Sequence, residues 1–135
     1  MNRSYLEMLT HRTYEERFEY LKLDGSVGHA TFGHARWMNQ SFYTSREWRT
    51  ARRDAISRDN ACDLGVPGFE IHTQITVHHI IPVSPEALAE GHPMLVDLNN
   101  LITTTHDTHN AIHYGDRSLL RLPPPEREMG DTKLW

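Results

Sequence analysis

A mixed α+β fold is what this sequence predicts, and three features of its patterning point to it. Short apolar runs of strand length occur at residues 69–71, 74–81 and 101–104, separated by turn-forming residues. Stretches with helical spacing of apolar residues alternate with them, opened by Thr13, Ser45 or Ser84 and closed by Gly91 or Gly115. At 135 residues, finally, the chain is of a size for one domain with its own core.

The elements follow in order. Residues 13–23 predict a helix, because Thr13 and Glu16 fit a capping box and Tyr14, Phe18 and Leu21 share one face. Asp24-Gly25 predicts a turn at its end. Residues 26–44 show no clean period and read as loop with a short helix at 34–40. Ser45 suits the N-cap of a helix reaching Arg58, with Trp48, Ala51, Ala55 and Ile56 toward the core and Arg46, Arg49 and Arg53 on another side. Residues 63–68 are rich in turn formers, and strands follow at 69–71 and 74–81. Ser84-Pro85 opens a brief helix that Gly91 ends. A strand at 101–104 leads into a helix at 106–114, closed by Gly115. From Asp116 the tail, with Pro123-Pro124-Pro125, reads as extended. The expected organisation is one domain over 1–135: a helical region to residue 62, a core at 63–115 and a tail from 116.

Composition excludes several classes. With 38% hydrophobic and 24% charged residues the chain is of the soluble globular type. Its apolar runs fall far short of the ~20 residues that cross a bilayer, so no membrane association is expected. The opening residues, Met1 to Leu6, lack the long apolar stretch of a secretory signal, and cytoplasmic localisation is the expectation. A single cysteine, Cys62, rules out an intramolecular disulfide and a Cys₄ zinc knuckle within the chain. The net charge of −4 is not that of a typical nucleic-acid binder. Its distribution says more, for arginines 46, 49, 52, 53 and 58 face only Glu47 and Asp54 over residues 45–58. Such a local basic face attracts phosphate.

Six of the ten histidines fall between residues 78 and 113, and their order has chemical meaning. On a helix, positions i and i+4 stack on one face, so His109 and His113 can grip one divalent ion. His106 shares that face one turn earlier but would converge poorly, which makes it a supporting or substrate-facing residue. A third ligand has to come from elsewhere, and the doublet His78-His79 at the end of an apolar run is the obvious source. Adjacent strand residues point to opposite sides. The doublet therefore suits a division between a metal ligand and a general base, since neutral imidazole takes a proton at physiological pH. Asn100 has no proton chemistry; its amide can hold the base's imidazole or pin the loop that carries it.

Val77-His78-His79-Ile80-Ile81-Pro82, Asn99-Asn100-Leu101 and His109-Asn110-Ala111-Ile112-His113 together resemble the HNH endonucleases. The small HNH proteins of bacteriophages and prophages are the nearest in appearance. Glu19 to Gly25, Ser45-Arg46-Glu47-Trp48 and Arg58 to Gly65 are similar to that group as well, so the resemblance spans roughly residues 13–120. It implies a small ββα-metal core with additional N-terminal helices, holding one divalent cation (magnesium, manganese, nickel or zinc). His78 takes the place of the first ligand, His79 of the general base, Asn100 of the asparagine that orients the base, and His109 and His113 of the helix ligands. Many members add two Cys-x-x-Cys pairs around a structural zinc. Here Thr105 and Thr108 stand where one pair would be and Cys62 is alone, so no structural zinc is expected.

The implied activity is metal-dependent hydrolysis of DNA phosphodiester bonds, giving 5′-phosphate and 3′-hydroxyl ends. Arg46, Arg49 and Arg53 are the expected DNA-backbone contacts. The phage resemblance favours genome packaging, with terminase proteins as partners, over homing. A toxin-like non-specific nuclease and an idle metal-stabilised DNA-binding module are the alternatives.

Overall fold

Five α-helices begin where the sequence supplies a capping hydroxyl. The computed structural model describes residues 3–23 and 40–122, and in it α1 (Tyr5–Met8), α2 (Tyr14–Leu21), α3 (Arg46–Arg58), α4 (Pro85–Glu90) and α5 (His106–Tyr114) follow Ser4, Thr13, Ser45, Ser84 and Thr105. In every case the cap oxygen accepts a backbone N–H of the first turn, satisfying a donor that the helix itself cannot. The Thr13–Glu16 box is half formed: Thr13 Oγ1 accepts the Glu16 N–H at 3.2 Å, and its own hydroxyl donates to the Glu16 carboxylate at 3.1 Å.

At the other ends, α4 and α5 stop on Gly91 and Gly115 in the left-handed conformation. Gly115 has φ +65°, and a Cβ there would lie 2.5 Å from the Leu23 carbonyl oxygen. Only glycine allows this close approach. It brings the end of α2 onto α5, where the Leu23 N–H donates to the Ile112 carbonyl at 2.8 Å.

Strands β1 (Cys62–Asp63) and β2 (Phe69–Glu70) form one antiparallel pair, and β3 (Thr76–His79) and β4 (Leu101–Thr104) another. The β3–β4 register sets His78 opposite Ile102 and His79 opposite Leu101. Alternation then sends the two members of each neighbouring pair to opposite faces. Ile80 and Ile102 pack with Met8, Leu21 and Ile112, from α1, α2 and α5. Val77 and Leu101 pack with Trp48, Ala51 and Ala55 of α3. The sheet is therefore covered on both sides, which is why β4 is buried along its whole length.

Several expectations are corrected. The strand expected at 74–81 is confined to Thr76–His79. Gln74 has a positive φ of 53°, the Ile75 carbonyl is taken by Arg52 at 2.9 Å, and at the far end the Ile81 N–H goes to the Asn100 side chain. The strand expected at 69–71 ends at Glu70, the Ile71 N–H turning to the Ala61 carbonyl. The helix expected at 13–23 ends at Leu21, where Lys22 takes ψ 144°. Residues 41–43 are helical where loop was expected. Past Asp116, residues Arg117–Leu119 make a 3-10 turn rather than extended chain. The turn at 24–25, most of the 26–44 loop with its helix at 34–40, and the three prolines at 123–125 lie outside the described residues. Helix α1 was not anticipated. Among the described residues no helix is long and apolar enough to cross a membrane.

Candidate functional site

One turn of α5 brings His109 and His113 into contact, their ring centroids 4.3 Å apart. His78 reaches them from β3, with centroid separations of 5.3 Å to His109 and 5.2 Å to His113. One ligand atom from each of the three lies within 4.8 Å of the others, a spacing that could hold a metal ion. The three ligand positions expected from the sequence thus come together.

Burial makes the cluster chemically unusual. His78 is 2% exposed, and neither of its ring nitrogens has a hydrogen-bond partner among the described residues. A buried polar group left this way costs about 1–3 kcal/mol, which is out of character for a folded core unless something else occupies the lone pair. Desolvation, reinforced by the neighbouring His109 and His113, pushes the pKa of His78 well below the usual histidine value. Burial and then the charges of His113 and His106 take His109 down to about 4, and burial lowers His113 as well. All three imidazoles are therefore neutral near pH 7. Neutral imidazole is the ligating form, so this donor set fits a divalent cation.

His79 faces the other side of the strand. Its ring stacks on Trp48 at 5.1 Å between centroids and 22° between planes, and Phe42 and Tyr43 flank it at 6.1 and 6.4 Å. Nε2 lies 2.8 Å from the Leu95 carbonyl oxygen. A carbonyl can only accept, so Nε2 carries the proton and a neutral ring keeps its lone pair on Nδ1. Burial lowers the pKa of His79, an effect that this hydrogen bond partly opposes.

Asn100 settles one alternative left open by the sequence: it pins the loop and does not hold the imidazole. Its Oδ1 accepts the Ile81 N–H at 2.8 Å, and its Nδ2 donates to the carbonyls of Met94 (3.1 Å) and Ile81 (3.3 Å). Met94 precedes Leu95, whose carbonyl anchors His79, so the amide acts one residue away from that anchor.

Two buried carboxylates hold the elements that carry the site, and sequence reading missed both. Asp63 is fully buried; Oδ2 accepts the hydroxyls of Thr105 (3.0 Å) and Thr108, and Oδ1 accepts the Gly65 N–H at 2.9 Å. This fastens β1 to the first turn of α5 at Thr105 and Thr108, the positions that were compared with a cysteine pair. Asp59 accepts the Thr103 N–H at 2.9 Å and pairs with Arg58 through two contacts of 2.8 and 3.1 Å. Arg58 also donates to the carbonyls of Leu98 and Leu101 at 2.6 Å each, one on either side of the Asn99–Asn100 turn, and lies 3.6 Å over the Tyr5 ring. An Asp directly after a cysteine, or three residues before it, carries no sequence signal for such a role. Trp48 had a signal, an aromatic on the inward face of α3, but that face reads as core.

The remaining expected residues lie outside the cluster. His106 is exposed and sits 3.2 Å from Asn110 Nδ2, without joining the cluster of His78, His109 and His113. Arg46, Arg49 and Arg53 are exposed on α3. Arg52 and Arg58, from the same basic run, instead turn inward onto backbone carbonyls. Comparison of the chain with protein-family models, curated proteins and solved structures gives no match.

Proposed function

We propose that this chain is a metal-dependent HNH endonuclease that hydrolyses DNA phosphodiester bonds, with β3, β4 and α5 as its ββα core. The observation that carries the reading is the convergence of His78, His109 and His113 on one point, with His79 next in sequence and turned to the opposite side. A nuclease of this kind needs ligands and a base that are close but distinct, and an adjacent pair on a strand supplies both.

His78, His109 and His113 would hold a divalent cation, which would supply Lewis-acid stabilisation of the charge that develops on the phosphodiester. The protein's own part is to deliver the nucleophile. His79 Nδ1 takes a proton from water, the oxygen attacks phosphorus, and the P–O3′ bond breaks; the departing 3′-oxygen takes a proton from solvent, leaving a 5′-phosphate and a 3′-hydroxyl. Asn100 keeps the 94–95 and 81 backbone in place around the base. Arg46, Arg49 and Arg53 contact DNA phosphates, which position the duplex without reading its sequence. Three imidazoles and no carboxylate favour manganese, nickel or zinc over magnesium for occupancy. A role in genome packaging, with terminase proteins as partners, follows from the same resemblance.

The test is conversion of supercoiled plasmid to nicked or linear DNA, with manganese or nickel added and then with excess chelator. Cleavage that the chelator abolishes supports the reading, and mapping the ends separates site-directed cutting from a toxin-like nuclease. DNA binding without metal-dependent cleavage overturns it in favour of the idle module.

A further inference from the structure

Resting on the nuclease reading above, we infer that Trp48 is the positioning residue that holds the His79 imidazole for proton transfer. The resemblance assigns orientation of the base to Asn100, yet all the hydrogen bonds of that amide among the described residues go to backbone atoms of Ile81 and Met94.

A hydrogen bond fixes one atom of a ring and leaves the plane free to rock about the contact. The Leu95 carbonyl fixes Nε2 at 2.8 Å. The second torsion of histidine is a broad one, so a single anchor does not define where Nδ1 points. The missing constraint is a contact on the ring face, and Trp48 provides it: the two planes are 22° apart with centroids at 5.1 Å, a stacked geometry. Phe42 and Tyr43 close the sides, and each also packs against Trp48, at 5.3 and 5.2 Å. Trp48 itself is 5% exposed and lies on α3, whose inner face is fixed to the sheet through Ala51 and Ala55. The ring is thus held by a rigid element on its face and by a carbonyl on its edge. The lone pair on Nδ1 is left at the edge away from Leu95, where water and the phosphodiester must approach. Trp48 makes no contact with the substrate in this role; it acts through His79.

The experiment combines kinetics with a spectroscopic readout that does not need activity. Nitrogen-15 NMR of the imidazoles in the metal-loaded protein near neutral pH should show His79 as one tautomer, protonated at Nε2. Trp48→Leu should lose that single tautomer and lower kcat on the order of 10²-fold, the scale of a small misplacement of a reacting group. Its KM and its metal affinity by calorimetry should stay near those of the wild type. Trp48→Phe keeps a stacking ring and should restore both the tautomer and most of the turnover. A merely structural tryptophan would instead lower metal affinity and thermal stability together, with no selective effect on His79. The inference is overturned if wild-type His79 is protonated at Nδ1 or populates both tautomers. It is overturned as well if Trp48→Leu keeps tautomer and kcat, or if Trp48→Phe falls as far as Trp48→Leu. Should Trp48→Leu fail to fold, the wild-type tautomer and the phenylalanine variant decide. A protein with the single Trp48-dependent tautomer but no DNA cleavage would sink the nuclease reading and leave the positioning role standing.

Discussion

At the residue scale, four histidines share a lowered proton affinity, and the causes differ in a way that matters. Desolvation is the leading cause in all four; for His78 and His109 neighbouring imidazoles add to it, whereas for His79 and His113 it is the one lowering cause, and at His79 the Leu95 hydrogen bond opposes it. A folded-state pKa below the ordinary value means that the neutral ring is favoured by folding. The stability this gives is complete above about pH 6.5, the ordinary value, and declines as pH falls toward the folded value, about 4 for His109 in its buried setting. Metal-free protein should therefore lose Tm steadily on acidification through that window. His109→Ala should flatten the decline, and an unchanged slope would show that His109 is not held neutral. The ligand role makes a separate prediction. His78→Ala, His109→Ala and His113→Ala should each weaken metal binding in calorimetry near neutral pH, and excess metal should recover part of the activity. A site that binds the ion as tightly with two imidazoles as with three would contradict the assignment.

The helices set the limits of what sequence could reveal at the element scale. Helices α3, α4 and α5 were legible because each carries its own punctuation: Ser45, then Ser84-Pro85 and Gly91, then Gly115. Helix α1 has only four residues, too short to form by propensity alone. It is held from outside, by Tyr20 accepting the Ser4 N–H at 2.8 Å and Asn99 accepting the Leu6 N–H at 3.1 Å, and no local pattern announces such contacts. The strands were overextended for a similar reason, since Arg52 and Asn100 claim backbone groups that a ladder would have used.

Helix α3 also divides its arginines, and this sharpens the expectation for DNA. Alanine at Arg46, Arg49 and Arg53 should weaken binding alike across sequences and reduce the salt slope by up to ~0.9 per lost phosphate contact. Arg58→Ala should act differently, lowering stability by releasing two carbonyls and the buried Asp59. If the triple variant binds with an unchanged slope, that face of α3 is merely solvated. Just after β1, Gly65→Ala places a Cβ 2.5 Å from Cγ2 of Thr108 on α5, against the clamp of Asp63 on the helix start. It should cost about 1–3 kcal/mol, the range for overpacking a tight interior, measured by denaturant unfolding. A neutral effect would mean that the clamp yields.

Over the whole molecule, the two-stranded sheet acts as a partition. The clustered His78, His109 and His113 lie on the side covered by α5, while His79 lies on the side covered by α3, and the His78-His79 doublet crosses from one to the other. That division was legible in the sequence from strand alternation alone. The enclosure of His79 was not, because Phe42 comes from a stretch with no clear period and Trp48 reads as ordinary core. Nor were the two carboxylate clamps, since Asp59 and Asp63 become visible only when the chain folds back on β4 and α5. The central claim is that His79 supplies the base while binding no metal. Its most direct test is the single-turnover cleavage rate of a DNA duplex by His79→Ala at saturating metal, with metal affinity measured on the same sample. The expected result is a loss of about 10²–10⁴-fold in rate, the usual cost of a missing general base, with affinity unchanged. Cleavage at the wild-type rate, or loss of the metal along with the activity, would contradict it.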